Sequence, residues 1–285
     1  MTRVNDIPGV VLPGGETVPA LGQGTWAMAD RPTSRSDEIA ALRTGVDLGM
    51  TVIDTAEMYA NGGAEELVAE ALGDRRREIF LVSKVLPHHA TRRGTVSSCE
   101  ASLRRLKTDR LDLYLLHWRG SVPLADTLEA FATLKRDGKI RYWGVSNFDV
   151  DDMEELAAMT VKAPSPAASN QVLYNLTRRG IERRLLPWCQ TRGIPMMAYS
   201  PLEQGKLTTH KTLQALGRRL NATPAQVALA WVLRQDAVIA IPKSGRVDRV
   251  RENRGALNVQ LGTAELKELD QAFHVPAKNT PLEMI

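Results

Sequence analysis

Short apolar runs alternate with amphipathic stretches along most of this chain, eight times over, and that alternation limits what it can fold into. The runs are 21–26, 51–55, 79–84, 111–117, 140–146, 169–173, 195–200 and 238–243. Each is brief, rich in branched or aromatic residues, and bounded by Gly, Pro or charge, as strands buried on both faces are. The stretches between them carry a helical period. Leu67, Val68, Ala71 and Leu72 share one face of 64–72, and Val96, Cys99, Leu103 and Leu106 recur at three- and four-residue spacing in 96–106. Thr223-Pro-Ala-Gln226 reads as an N-cap, a first-turn proline and a capping-box glutamine opening a helix through Val232. Strand–helix alternation gives a parallel sheet, and eight units close a (β/α)8 barrel. Two additions flank it: a hairpin over 10–18 with a Pro-Gly-Gly turn, and one amphipathic helix after Gly262.

The length, 285 residues, suits a single barrel domain over 1–285, and no linker-like or low-complexity segment divides it. The net charge of +4 comes from scattered basic pairs interleaved with acids, including Arg92-Arg93, Arg104-Arg105, Arg178-Arg179 and Arg218-Arg219. These read as solvated helix faces and argue against a nucleic-acid partner. Two cysteines, Cys99 and Cys189, fall in separate helical segments, so no disulfide framework is expected and the cytoplasm is the default compartment. The opening residues show no apolar leader, and no window is long and apolar enough to span a bilayer. No metal-ligand set is read.

In barrels of this kind the chemistry sits at the C-terminal ends of the strands. The second run ends in Asp54, the third in Lys84 and the fourth in His117. Singly, each is compatible with a helix cap or a surface ion pair; three on one rim point to a site. Tyr59 follows Asp54 by five residues, in a loop over the same rim. Beside a lysine and a histidine, such a tyrosine can be a proton donor. There is no Gly-x-Gly-x-x-Gly after a strand and no Gly-x-x-x-x-Gly-Lys-Ser/Thr, so neither common phosphate cradle is present.

Asp54-Thr-Ala-Glu-Met-Tyr59, Lys84 and His117-Trp118 closely resemble the aldo-keto reductases. So do Gly144-Val-Ser-Asn-Phe148, Asn170-Gln171, Ala198-Tyr-Ser-Pro-Leu202 and Ile241-Pro-Lys-Ser244, with Arg249 and Glu252-Asn253. The match is collinear from about Val10 to Leu269, and the stretch Ala56–Glu66 looks most like a bacterial subgroup that includes methylglyoxal reductases. The resemblance implies an NADP(H)-dependent carbonyl reductase acting on small aldehydes, ketones or 2-oxoaldehydes, with a tetrad of Asp54, Tyr59, Lys84 and His117. It implies monomer as the family habit. A free tyrosine is a weak acid, and a nearby Lys84 ammonium should lower its pKa. Asp54 would fix Lys84, and His117 would orient the carbonyl.

For the cofactor, the resemblance assigns Ser146, Asn147 and Gln171 to the carboxamide and Tyr199 to the nicotinamide ring. Gly24, Thr25 and Trp26 would border the ribose, with Ser200 and Leu202 at the pyrophosphate. Lys243, Ser244 and Arg249 would hold the 2′-phosphate, with Glu252 and Asn253 at the adenine; Asp54 borders the same site. Trp26 and Trp118 are expected to wall the substrate pocket. Arg119-Gly120 stands where many members have proline, and Glu203-Gln-Gly where a Gly-Ser or Gly-Thr pair is common. Glu203 would be unfavourable near a pyrophosphate unless it turns outward, and Arg119 offers the rim a positive charge. The short tail 281–285 is expected to leave the site open and shallow. A cofactor-binding regulatory subunit on the same fold is the competing reading, and a phosphate-sugar isomerase barrel a third. The intact tetrad argues against the former and the poor fit of 241–245 as a phosphate loop against the latter.

Overall fold

The structure, a computed structural model, describes residues 3–31, 34–160 and 166–285. The first two residues of the stretch searched for a leader lie outside the described residues. The chain opens with β1 (Arg3–Val4), β2 (Ile7–Val11) and β3 (Thr17–Pro19), an antiparallel sheet. The expected Pro-Gly-Gly turn joins β2 to β3. Gly15 there has φ +85°, and a Cβ on Gly14 would lie 2.7 Å from the Tyr142 ring, so both positions need glycine.

The barrel follows as β4 (Gln23–Gly24), α1 (Arg35–Asp47), β5 (Val52–Asp54), α2 (Gly63–Leu72), β6 (Phe80–Val85), α3 (Arg92–Leu106), β7 (Leu111–Leu116) and α4 (Leu124–Arg136). It continues as β8 (Ile140–Ser146), α5 (Val150–Thr160), β9 (Asn170–Leu173), α6 (Leu185–Thr191), β10 (Met196–Tyr199), α7 (Lys211–Leu220), α8 (Pro224–Leu233), β11 (Val238–Ala240) and α9 (Val247–Gly255). Strands β4 to β11 pair in parallel in chain order. Bridges Leu21–Ala240 and Gly24–Lys243 close the first against the last. This is the (β/α)8 barrel that the alternation requires, and the extra helix is α10 (Thr263–Ala272). Thr223 and Gln226 form the expected capping box at the start of α8. Helix α3 begins at Arg92, four residues before the apolar periodicity does, because the Thr91 side chain caps it by accepting from the Gly94 N–H.

Strand side chains alternate between two cores. Val52, Phe80, Val82, Leu113, Leu115, Met197, Ile239 and Ile241 fill the barrel, and Val10, Leu12 and Val18 of the hairpin join the same cluster. Ile53, Leu81, Val85, Tyr114 and Leu116 face the helices instead. The period carries the functional residues with it. Asp54 continues the inward stripe of Val52, Lys84 that of Phe80 and Val82, and His117 that of Leu113 and Leu115.

Two basic pairs depart from the solvated reading. Arg179 is 5% exposed; it pairs with Glu182 and Asp270, donates to the Phe273 carbonyl and lies over the Trp231 ring. Arg105 donates from Nε to the wholly buried Glu65, which also accepts from Ser83. A carboxylate or an aromatic face inside the fold draws each arginine inward, which local sequence does not disclose. Cys99 and Cys189 are buried, unpaired and on separate helices. Among the described residues no helix is long and apolar enough to cross a membrane.

Candidate active site

Lys84 is fully buried and uses all three ammonium hydrogens: to Asp54 Oδ2 at 2.8 Å, to the Thr55 carbonyl at 2.9 Å and to the Tyr59 hydroxyl at 3.1 Å. Burial works against its charge, yet Asp54 and then Tyr59 outweigh that and hold its pKa above the ordinary lysine value. Lys84 is therefore a fixed cation. The other Asp54 oxygen accepts from Gln171 Nε2 at 2.8 Å, so the carboxylate is held from two sides.

Tyr59 reaches this cluster because the chain after β5 turns back over the barrel mouth. Ala60, Asn61 and Gly62 all adopt left-handed backbone before α2 begins. The loop is pinned by Glu57, a residue the sequence reading passed over. Its carboxylate accepts from the Leu86 N–H at 2.7 Å and contacts His89 Nδ1 at 3.0 Å. Burial raises the Tyr59 pKa, and Lys84 only partly offsets it. The expected net lowering by Lys84 is thus corrected: the lysine acts in the stated direction, but desolvation of the phenolate is larger. Tyr59 is a neutral phenol whose oxygen already accepts from Lys84, which leaves its own hydrogen for the cavity it lines.

His117 stands edge-on to Tyr59, ring centres 5.9 Å apart, with Trp118 at 4.9 Å on its other side. Burial, reinforced by the Lys84 charge, pushes its pKa down to about 2, so the ring is a neutral imidazole with one N–H to give. Among the described residues its Nδ1 is buried without a partner.

A cavity of about 640 Å³ runs from this cluster across the mouth. Of the sequence-derived residues, Gly24, Trp26, Asp54, Tyr59, His117, Trp118, Ser146, Asn147, Gln171 and Tyr199 line it. Ser200, Leu202, Lys243, Ser244, Arg249, Glu252 and Asn253 line it too. Two do not border it. Lys84 lies behind Tyr59, and Thr25, wholly buried, donates its hydroxyl to the Asp54 carbonyl at 3.0 Å, so it supports the strand end instead of facing a ligand. Asn147 donates to the His117 carbonyl at 3.0 Å and accepts from the Tyr199 hydroxyl at 2.9 Å. Gln171 spends its amide hydrogens on Asp54 and Met197, leaving its carbonyl oxygen as the group available to a ligand. Trp26 is 47% exposed and lines the cavity rather than the core.

Glu203 is turned away from the cavity. Burial pushes its pKa up, but hydrogen bonds from Arg178 and Asn175 outweigh this and hold it below the ordinary value. Arg119 is paired with Glu155 at 3.0 Å, both side chains partly exposed, as a solvated surface arginine is. The short tail does not stand clear of the site, although Met284 and Ile285 stay about half exposed. Leu282 packs on the core, Arg178 holds Glu283, and Met284 and Ile285 wall the cavity. These two and Met58 were not singled out from sequence; only contacts distant in the chain place them.

The family model described as the aldo/keto reductase family matches residues 20–273, the whole barrel and α10. The chain belongs to the aldo/keto reductase family. It is 49% identical to the methylglyoxal reductase YeaE of Escherichia coli (strain K12) over 95% of this chain and 97% of that protein. Two solved structures of aldo/keto reductase from Klebsiella pneumoniae superpose on it. One, in complex with NADP and acetate, has TM-score 0.93 and 46% identity, covering 98% of this chain and 100% of that one. The other, in complex with NADPH, has TM-score 0.94 and 47% identity, covering 98% and 99%. In this aldo/keto reductase Asp54, Lys84 and His117 stand together at the strand ends, with Tyr59 over them in the loop after β5.

Proposed function

We propose that the chain is an NADP(H)-dependent oxidoreductase that reduces small aldehydes, ketones or 2-oxoaldehydes to alcohols, with Tyr59 as the proton donor. One observation carries the reading: Lys84 donates to the Tyr59 oxygen at 3.1 Å, so the phenol hydrogen is free for a ligand in the cavity. A group that must give a proton at neutral pH has to hold it until the carbonyl oxygen becomes basic, and a buried neutral phenol does so. The fixed Lys84 ammonium then stabilises the phenolate left behind. His117, neutral, gives an N–H to the carbonyl oxygen and sets its orientation beside Tyr59.

The cavity suits the cofactor by its donor set. Lys243, Ser244 and Arg249 gather cationic and hydroxyl groups at one end, as a 2′-phosphate requires. Ser146, Asn147 and the Gln171 carbonyl offer amide-matching partners at the other, next to the Tyr199 ring and the tetrad. Glu252 and Asn253 would meet the adenine, Ser200 and Leu202 the pyrophosphate, and Gly24 and Trp26 the ribose. When bound, NADPH supplies a hydride to the carbonyl carbon; Tyr59 supplies the proton to the oxygen.

Trp26, Trp118, Met58 and the 284–285 segment narrow the space above Tyr59, which favours small carbonyls, and a relative at 49% identity is named a methylglyoxal reductase. The test is NADPH oxidation with methylglyoxal, a simple aromatic aldehyde and a steroid ketone under one condition. The expected kcat/KM for the steroid is lowest. A steroid ranking first would contradict the narrow pocket, and no turnover of any of them would contradict the reductase reading.

A further inference from the structure

One arginine joins two segments that wall different parts of the cavity. Arg178 donates from Nη2 and Nε to Glu203 Oε1 at 2.8 and 3.2 Å, and from Nη1 to Glu283 Oε1 at 2.6 Å. Its planar fork thus holds two carboxylates that lie far apart in the chain. Glu203 sits in a contorted loop. Ser200, Glu203, Gln204 and Gly205 have φ of 46°, 47°, 55° and 88°, and only the glycine adopts that region freely. Such a run persists where side chains hold it. Here Asn175 Nδ2 donates to the Ser200 carbonyl at 2.9 Å and to Glu203 Oε2 at 2.8 Å, while Arg178 holds the other Glu203 oxygen. Ser200, Gln204 and Gly205 line the cavity. On the other side of the guanidinium, Met284 and Ile285 follow Glu283 and line it too, with the Ile285 backbone in hydrogen-bonding reach of the Tyr199 phenol.

We propose that Arg178 is a positioning residue that couples the 200–205 loop to the 283–285 segment, so that both walls set together when NADPH binds. The proposal rests on the reading that this cavity takes NADPH. With Glu283 gone, the guanidinium has a single carboxylate partner and can turn about its stem. Glu203 is then less restrained, and NADPH must reorder the loop that it meets, which weakens binding. By reciprocity, NADPH that firms the loop also firms the 283–285 segment.

The test is NADPH affinity, read by quenching of protein fluorescence, for wild type, E283Q, R178M and the double variant. Glu283 is partly exposed and far from the barrel core, so E283Q keeps the fold. Its expected effect is about two- to fivefold weaker binding, the range of an ion pair of this exposure. R178M should weaken binding about tenfold, and E283Q should add nothing in the R178M background. KM for NADPH should rise while kcat at saturating cofactor stays within about twofold. Amide exchange of residues 282–285 should slow on adding NADPH to wild type, and not in R178M. E283Q binding NADPH as wild type does, or additive losses in the double variant, would overturn the coupling. A wild type that fails to bind NADPH would overturn the cofactor assignment and the coupling with it.

Discussion

Lys84 donates to the Tyr59 oxygen at 3.1 Å and lies 4.7 Å from the centre of the same ring, so one buried cation faces both the phenol oxygen and its π-system. The same ammonium is bonded to Asp54, itself 2% exposed. The two charges offset each other at 2.8 Å, and the phenol bonds to the ammonium of the pair.

Removing one partner should therefore cost more than removing the pair. Lys84→Met leaves the Asp54 carboxylate buried without its cation, and breaking a buried pair costs about 3–5 kcal/mol. The double variant Asp54→Asn, Lys84→Met strands no charge and should be more stable than Lys84→Met alone in urea denaturation. A double variant whose loss equals the sum of the single losses would show that the charges do not depend on each other.

His117 sets a pH signature. Its folded pKa is about 2 against an ordinary 6.5, so below about pH 6 the unfolded chain takes up a proton that the folded one refuses. The stability tied to the neutral ring is fully present above 6.5 and is lost as pH falls. Relative to His117→Gln, wild type should lose up to about 1.4 kcal/mol per pH unit between pH 6 and 4. Parallel stability curves for the two proteins would contradict a buried neutral imidazole. Because His117 is already neutral, it should also contribute no acidic limb to the pH profile of kcat/KM between pH 5 and 8.

Arg249 is expected to discriminate between cofactors. Its side chain is 56% exposed and held to Glu252 at 2.6 Å, so a phosphate would share a guanidinium that is already oriented. A charged hydrogen bond is worth about 1.5–3 kcal/mol, and exposure places this one at the low end. Arg249→Ala should weaken NADPH binding about tenfold and NADH binding less than twofold. Equal losses for both would remove Arg249 from reading the 2′-phosphate.

The barrel and the tetrad positions were legible because one alternation governs both. Asp54, Lys84 and His117 are the polar ends of inward-facing apolar stripes, so the pattern that builds the core also aims the chemistry. The capping box at Thr223 and the hairpin turn at Gly14 and Gly15 were legible because their causes lie within four residues. What was missed depends on contacts far along the chain. Arg178 reaches Glu283 and Arg179 reaches Asp270, separations of 105 and 91 residues; the first ties the 281–285 segment beside the cavity and the second holds α10. The net direction of the Tyr59 shift was missed for a different reason. A neighbouring charge can be named from sequence, whereas the depth of burial that outweighs it is a property of the assembled barrel.

The central claim is that Tyr59 gives the proton, and Tyr59→Phe tests it most directly because it removes one oxygen and keeps the ring. NADPH affinity and kcat with methylglyoxal should be measured on the same preparation. NADPH should bind Tyr59→Phe within about twofold of wild type while kcat falls by about 10²–10⁴, the usual contribution of a general acid. A variant that binds NADPH and retains near-wild-type kcat would contradict the account.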